Sequence, residues 1–279
     1  MYELTKNMSI TYYMLQIPPF LLFILTISIS GLIAGIGTYI FRKKIQLKIL
    51  RSHNEVTGFL FLAIASFYAL LLSFVFFVVW DQLNETHNNV SKEGSYALSL
   101  YRDIKFYPDT IESKRLIAVY LDFVFNVLDE EIPNLEKMQG SVKTPESFNK
   151  VFYMMEHLNP KDPFQAQLVA EMFRHLNELS IYRGLRNASI ETEIPSPMWL
   201  PIMFGAFITL FCAMLLDIEH LRMHITLNTM LGVFIGMFLF IIVLLDHPYT
   251  GSLQIKPKSY QKIFSLEHQL NQSKNLLKK

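Results

Sequence analysis

From Gly58 to Trp80 the chain reads GFLFLAIASFYALLLSFVFFVVW, 23 residues without a charge. At 1.5 Å of rise per residue a helix of this length spans roughly 30 Å, the hydrocarbon core of a bilayer. The stretch is therefore predicted to cross a membrane. Polarity changes abruptly at Asp81-Gln82, yet no proline follows until Pro108, and Leu83, Val90, Ala97 and Ile104 recur every seven residues. That spacing predicts one helix that leaves the membrane unbroken and carries an apolar seam in need of a partner.

Three other apolar blocks accompany it, which is where the 51% hydrophobic content is concentrated in a chain only 18% charged. The first, Ile17 to Phe41, opens on Pro18-Pro19, a pair suited to a helix first turn. No small-residue cleavage site follows it, so it reads as a retained helix rather than a signal peptide. Gly31 and Gly35 form a GxxxG pair within it. Met198 to Leu216 carries Gly205, Thr209 and Ala213, and Ile225 to Leu245 carries Asn228, Gly232 and Gly236, each at a spacing of four. Such stripes let helices approach closely, and with the heptad seam they predict a symmetric homo-oligomer embedded in membrane lipid.

Arg42, Lys43, Lys44, Lys48 and Arg51 crowd the link between the first two spans. By the bias of basic residues toward the inner side, this link is expected to be cytoplasmic, which puts residues 81–197 outside the cytoplasm. A multi-pass protein of a bacterial inner membrane is the expected setting. The other link, Asp217 to His224, offers only Arg222 as a fixed positive charge. The expected division is a segment with two spans over 1–80, a helical extramembrane domain over 81–197, two spans over 198–245 and a tail over 246–279.

Within the middle region a helix over Ile111 to Leu128 is expected to end at Pro133. After a loop at Gln139-Gly140-Ser141, Pro145-Glu146 starts another helix, with Phe148, Phe152 and Met155 on its apolar side. A third begins at Pro163 with Phe164, Leu168, Met172, Leu176 and Leu179, and with Arg174, Arg183 and Arg186 on or near the other side. The tail is expected to form a compact turn at Asp246 to Gly251 and a frayed, Lys-rich helix around Tyr260 to Leu277. No run alternates at period two, so no sheet is expected. The fold class is all-α: four transmembrane helices with a helical extramembrane domain between the second and third.

No span holds Asp, Glu, Lys, Arg or His in its core, which argues against proton relays, ion-coupled carriers and voltage sensors. A passive pore with an apolar constriction survives that test, as does a non-conducting signalling or scaffold protein whose helical domain binds a partner. A pore would use Leu70, Phe74 and Val78 of the second span as a hydrophobic neck, or the adjacent stripe Phe67, Leu71 and Val75; lipid-facing filler is the bland alternative. Arg102, Arg183 and Arg186 would either concentrate anions at its mouth or form salt bridges, with the salt bridges favoured. His220 and His224, beside Asp217 and Glu219, have a spacing that can bind a metal, but a solvated polar link is the better reading, and no metal or cofactor is expected. The chain has no phosphate-binding loop, nucleophile elbow or zinc-protease motif, so it is not read as an enzyme. Its net charge of +1 suggests no nucleic-acid partner. Cys212, alone in an apolar block, reads as a small hydrophobe.

Several short motifs point further. His53-Asn54-Glu55-Val56-Thr57-Gly58-Phe59, Tyr68-Ala69-Leu70-Leu71-Leu72, Val79-Trp80-Asp81-Gln82, Glu93, Leu100-Tyr101-Arg102, Arg183 to Arg186, Pro195 to Trp199, and Asp246-His247-Pro248-Tyr249-Thr250-Gly251 together resemble an uncharacterised family of bestrophin-like bacterial membrane proteins. The resemblance spans nearly the whole chain. It implies four spans with a helical region between the second and third and, by analogy with bestrophins, a pentamer whose second helices line an axis permeable to inorganic anions. No acid cluster like the bestrophin calcium clasp is present, so calcium gating is not implied.

Overall fold

The computed structural model describes residues 10–44, 51–137, 139, 141 and 143–276; Lys48, Gly140 and Leu277, named above, lie outside the described residues. The described residues form ten α-helices and no strand. They are α1 (Ile10–Met14), α2 (Pro19–Lys44), α3 (Arg51–Lys105), α4 (Thr110–Asn126), α5 (Ile132–Glu136), α6 (Lys143–Glu156), α7 (Pro163–Ala188), α8 (Trp199–Met214), α9 (Leu221–Leu245) and α10 (Lys258–Leu276). Four helical stretches, α2, α3, α8 together with the 3₁₀ turn Ser196–Met198 that leads into it, and α9, are long and apolar enough to cross a membrane. As the lack of proline predicts, α3 runs through 55 residues without interruption. The chain divides into two compact units, one of residues up to Leu83 with Thr192–Leu253, the other of Asn84–Glu191 with the residues from Gln254 onward.

In the first unit α3 turns Tyr68, Leu72, Val75 and Val79 inward, at spacings of four, three and four, which is one helical face. They meet Ile202, Ala206 and Leu210 of α8 and Ile235, Ile242 and Leu245 of α9. The glycine stripes are used within this unit. A Cβ at Gly232 would lie 2.6 Å from both the Ser30 carbonyl oxygen and the Ala34 Cβ, and one at Gly236 would lie 2.9 Å from the Thr26 carbonyl oxygen. A Cβ at Gly31 would lie 2.9 Å from Val233, and one at Gly35 would lie 2.6 Å from Thr229. Asn228 Nδ2 then donates to Thr38 Oγ1 at 2.9 Å across the same contact. The stripes of α2 and α9 thus serve each other, so they are no argument for contact between copies. The reason is geometric: only glycine lets two backbones come this close.

The second unit encloses the rest of α3 in a core with α4, α6, α7 and α10. Asp109 caps α4 by accepting from the Ile111 and Glu112 amides, and Asp162 caps α7 by accepting from the Gln165 amide, with Pro163 in the first turn. The heptad seam is again spent internally: Ala97 and Ile104 are fully buried in this core, and Val90 is buried as well. The seam is therefore no more a surface for other copies than the glycine stripes are.

Pro133 does not end its helix. A π turn over Val127–Glu131 precedes it, closed by the Ile132 amide donating to the Val127 carbonyl, and Pro133 falls in the first turn of α5. The widened turn absorbs a ring that would clash in a regular helix interior. In the tail, α10 buries Tyr260 and Ile263 in the core, and Glu267 pairs with Lys105 at 2.6 Å.

Candidate functional site

Several of the motif residues gather in three places, each inside one unit. The first is a buried ion network in the helical unit. Along α7 the inward positions Met172, Leu176, Leu179, Arg183 and Arg186 alternate steps of four and three, so the two arginines continue the apolar stripe instead of lying opposite it. On α3 the buried positions Thr86, Val90, Glu93, Ala97, Leu100 and Ile104 keep the same alternation. Two helical faces thus bring Glu93 to Arg186, whose Nε lies 2.9 Å from Glu93 Oε2 with both side chains fully buried.

The π turn supplies the second acid. Glu131 Oε1 accepts from Arg186 at 2.5 Å, and its Oε2 accepts from Arg183 Nη2 at 3.0 Å. Arg183 also stacks over the Phe148 and Phe123 rings, 5.2 and 5.8 Å from their centroids. From α10 the Tyr260 hydroxyl donates to Glu93 Oε1 at 2.6 Å. Two carboxylates therefore face two guanidiniums in a core that excludes water.

The two acids respond oppositely to that setting. Burial pushes the Glu93 carboxyl above the usual carboxylate range, and Arg186 offsets this only in part. Burial would raise Glu131 too, but Arg186 and Arg183 together outweigh it and hold that carboxyl low. The network ties α3, α7, the π turn and α10 together. Arg183 and Arg186 form salt bridges and are not free charges at a mouth, whereas Arg102 is exposed.

The other two places are the ends of the membrane unit. At one end Arg42 donates to Asp217 Oδ1 at 2.7 Å and to the Ile218 carbonyl at 2.8 Å. Asn54 exchanges two hydrogen bonds with the Asp217 backbone, at 2.9 and 3.1 Å. This joins the two hairpin links, a contact the sequence reading missed because it pairs residues more than 160 positions apart. His53 is exposed there, and a Cβ at Gly58 would make only ordinary contact with Leu216 at 3.9 Å.

At the far end of α9, Asp246 accepts from the Ile194 amide at 2.7 Å, and His247 Nε2 lies 2.9 Å from Thr11 Oγ1 and 3.9 Å from Glu193. Pro248 is buried beside them, and Gly251 has φ +82°, a left-handed conformation that disfavours any side chain.

His220 and His224 do not converge. His220 sits at the cap of α9, outside the helix, while His224 is buried with Nε2 3.0 Å from the Ala213 carbonyl. Among the described residues no group of three or more His, Cys, Asp or Glu side chains is placed to hold a metal. On α3, Leu70, Phe74 and Val78 are 67%, 62% and 36% exposed in the chain. Val75 of the adjacent stripe is 3% exposed and belongs to the unit's own core. Trp80 stacks on Phe76, with centroids 6.3 Å apart.

A family model described as a bestrophin-like domain matches residues 28–260. A crystal structure of a bacterial bestrophin homologue from Klebsiella pneumoniae, carrying a point mutation, superposes with a TM-score of 0.61 at 17% identity, covering 86% of this chain and 95% of that one. Another crystal structure of a Klebsiella pneumoniae bestrophin homologue gives 0.58 at 16% identity, with 86% and 94% covered. A crystal structure described as a membrane protein gives 0.59 at 15% identity, with 88% and 96% covered. These identities speak for the fold alone. A comparison with curated proteins found no match. The chain belongs to the bestrophin-like family, on a match that spans both units.

Proposed function

We propose that this bestrophin-like membrane protein assembles as a homo-oligomer, a pentamer by family analogy, and lets inorganic anions pass passively along an axis lined by α3. The observation that carries this reading is the outward stripe of Leu70, Phe74 and Val78, which the chain leaves uncovered while Leu72, Val75 and Val79 fill its own core. A ring of such side chains blocks ions by dewetting and conducts after a small widening. The absence of charge from the cores of the spans fits passive flow and offers no coupling group.

Reconstituted vesicles test the reading. Phe74→Ala is expected to raise chloride leak at least about tenfold over the unmutated protein, since an opened neck removes the dewetting barrier. Arg102→Glu, at an exposed position beyond the span, is expected to shift the balance between chloride and cations. If unmutated and Phe74→Ala vesicles are equally tight to chloride, nitrate, sodium and potassium, the protein is a non-conducting scaffold whose helical unit binds a partner.

The basic link Arg42-Lys43-Lys44 supports an orientation with both hairpin links in the cytoplasm and the helical region outside it. In a Cys212→Ser background, a membrane-impermeant thiol reagent should label Ser141→Cys but not Lys43→Cys in intact spheroplasts. The opposite pattern reverses the orientation.

A further inference from the structure

A cleft of about 310 Å³ runs between α2 and α9, floored by Gly31 and Gly35 and walled by Ile36, Tyr39, Ile225 and Thr229. It exists because the glycines that let the two helices touch leave no side chains to fill the space beside the contact. Its volume is at the lower bound of ligand clefts, roughly 300–1,000 Å³, and its lining is almost entirely apolar. It opens on the side of the membrane unit where Ile36 and Tyr39 are exposed, within the length of two membrane-spanning helices.

One end of the cleft is basic, and the bases come from both helices. Lys43 follows Tyr39 by one turn of α2, is exposed, and holds Nζ 5.7 Å from the centre of the Tyr39 ring. Arg222 precedes Ile225 and Thr229 by three and seven residues, so it stands on the same face of α9, and it too is exposed. From Gly35 to Lys43 is about 12 Å along the helix, which separates an apolar floor from a cationic rim by part of one leaflet. Of the two acids in the adjoining link, Asp217 is engaged by Arg42, while Glu219 is exposed three residues before Arg222.

We propose that this cleft binds one anionic phospholipid, with an acyl chain lying along the Gly31–Gly35 floor and the phosphate between Lys43 and Arg222. Two features favour a lipid over a second copy of the chain. At about 310 Å³ the slot is too small to take a helix, and its charge changes along its length as a phospholipid's does. Tyr39 lies at the boundary, with its ring in the cleft and its face against a cation, the usual place of an aromatic residue at headgroup level.

The test is native mass spectrometry of the full chain in a nonionic detergent, titrated with phosphatidylglycerol or with phosphatidylcholine of the same acyl chains. The unmutated protein is expected to retain phosphatidylglycerol preferentially. Lys43→Gln and Arg222→Gln should each weaken that retention about fivefold, the attraction of one base near an anionic headgroup. The double substitution should bring the two lipids level, whereas Lys43→Arg should retain the preference. Ile36→Trp, which fills the cleft, should lower binding of both lipids. Equal retention of the two lipids by the unmutated protein, or an unchanged preference in the double variant, overturns the proposal. A change of oligomer size in Ile36→Trp with lipid binding unaltered also overturns it and gives the face to a second copy.

Discussion

Arg186→Met is expected to destabilise the helical unit by about 3–5 kcal/mol, because it leaves Glu93 and Glu131 buried beside only one remaining guanidinium. For a unit of this size that is roughly 10 °C or more in melting temperature, read by size-exclusion after heating in detergent. The cost lies in the uncompensated charge rather than in the lost side chain. Adding Glu93→Gln to Arg186→Met should therefore recover part of the loss. If Arg186→Met melts within about 2 °C of the unmutated protein, the network is not a stability element. The two acids also differ in their pH response. Glu131, held low, contributes stability that is fully present above the ordinary carboxylate range and is lost as pH falls toward its lowered folded value. Glu93, held high, contributes in the opposite sense: what it adds is present in acid and is lost as pH rises through its raised folded value. Near neutral pH, Glu93→Gln should accordingly be the milder of the two single neutralisations.

Gly232→Leu is expected to separate α2 from α9. A Cβ at that position would meet the Ser30 carbonyl oxygen at 2.6 Å, and backbone cannot swing aside as a flexible side-chain end does. Overpacking of this kind costs about 1–3 kcal/mol or more. A disulfide between cysteines placed at Thr38 and Asn228, in a Cys212→Ser background, reports the contact. It should form in the parent, where the native side chains lie 2.9 Å apart, and fail in the Gly232→Leu variant. Efficient cross-linking in Gly232→Leu would mean that the helices tolerate a bulky residue there. Because these glycines serve packing within the chain, oligomer size is not expected to follow the substitution directly.

The sequence by itself determined what depends on local composition and period. Twenty-three uncharged residues from Gly58 suffice to specify a span, and the absence of proline up to Pro108 allows α3 to run through to Lys105. Asp109 and Asp162, each followed by helix-forming residues, carry their capping chemistry in the side chain itself. The direction of the α7 arginines was also present in the spacing from Met172 to Arg186. Charge and period point in opposite directions there, and period prevails because a charge is excluded from a core only when nothing there pairs with it.

The tertiary structure alone decided which surfaces meet. A glycine stripe declares that something comes close, but not whether the partner is Ser30 of the same chain or a helix of another copy. Burial of the seam at Ala97 and Ile104, and of α10 at Tyr260, likewise depends on helices far away in sequence. Glu131 carried no signal of its own in an acidic run before Pro133. Its place in the network follows from the π turn, which changes the direction of a side chain without changing the residue. Periodicity is a property of one segment, whereas complementarity belongs to pairs of segments, and only the folded chain selects the pairs.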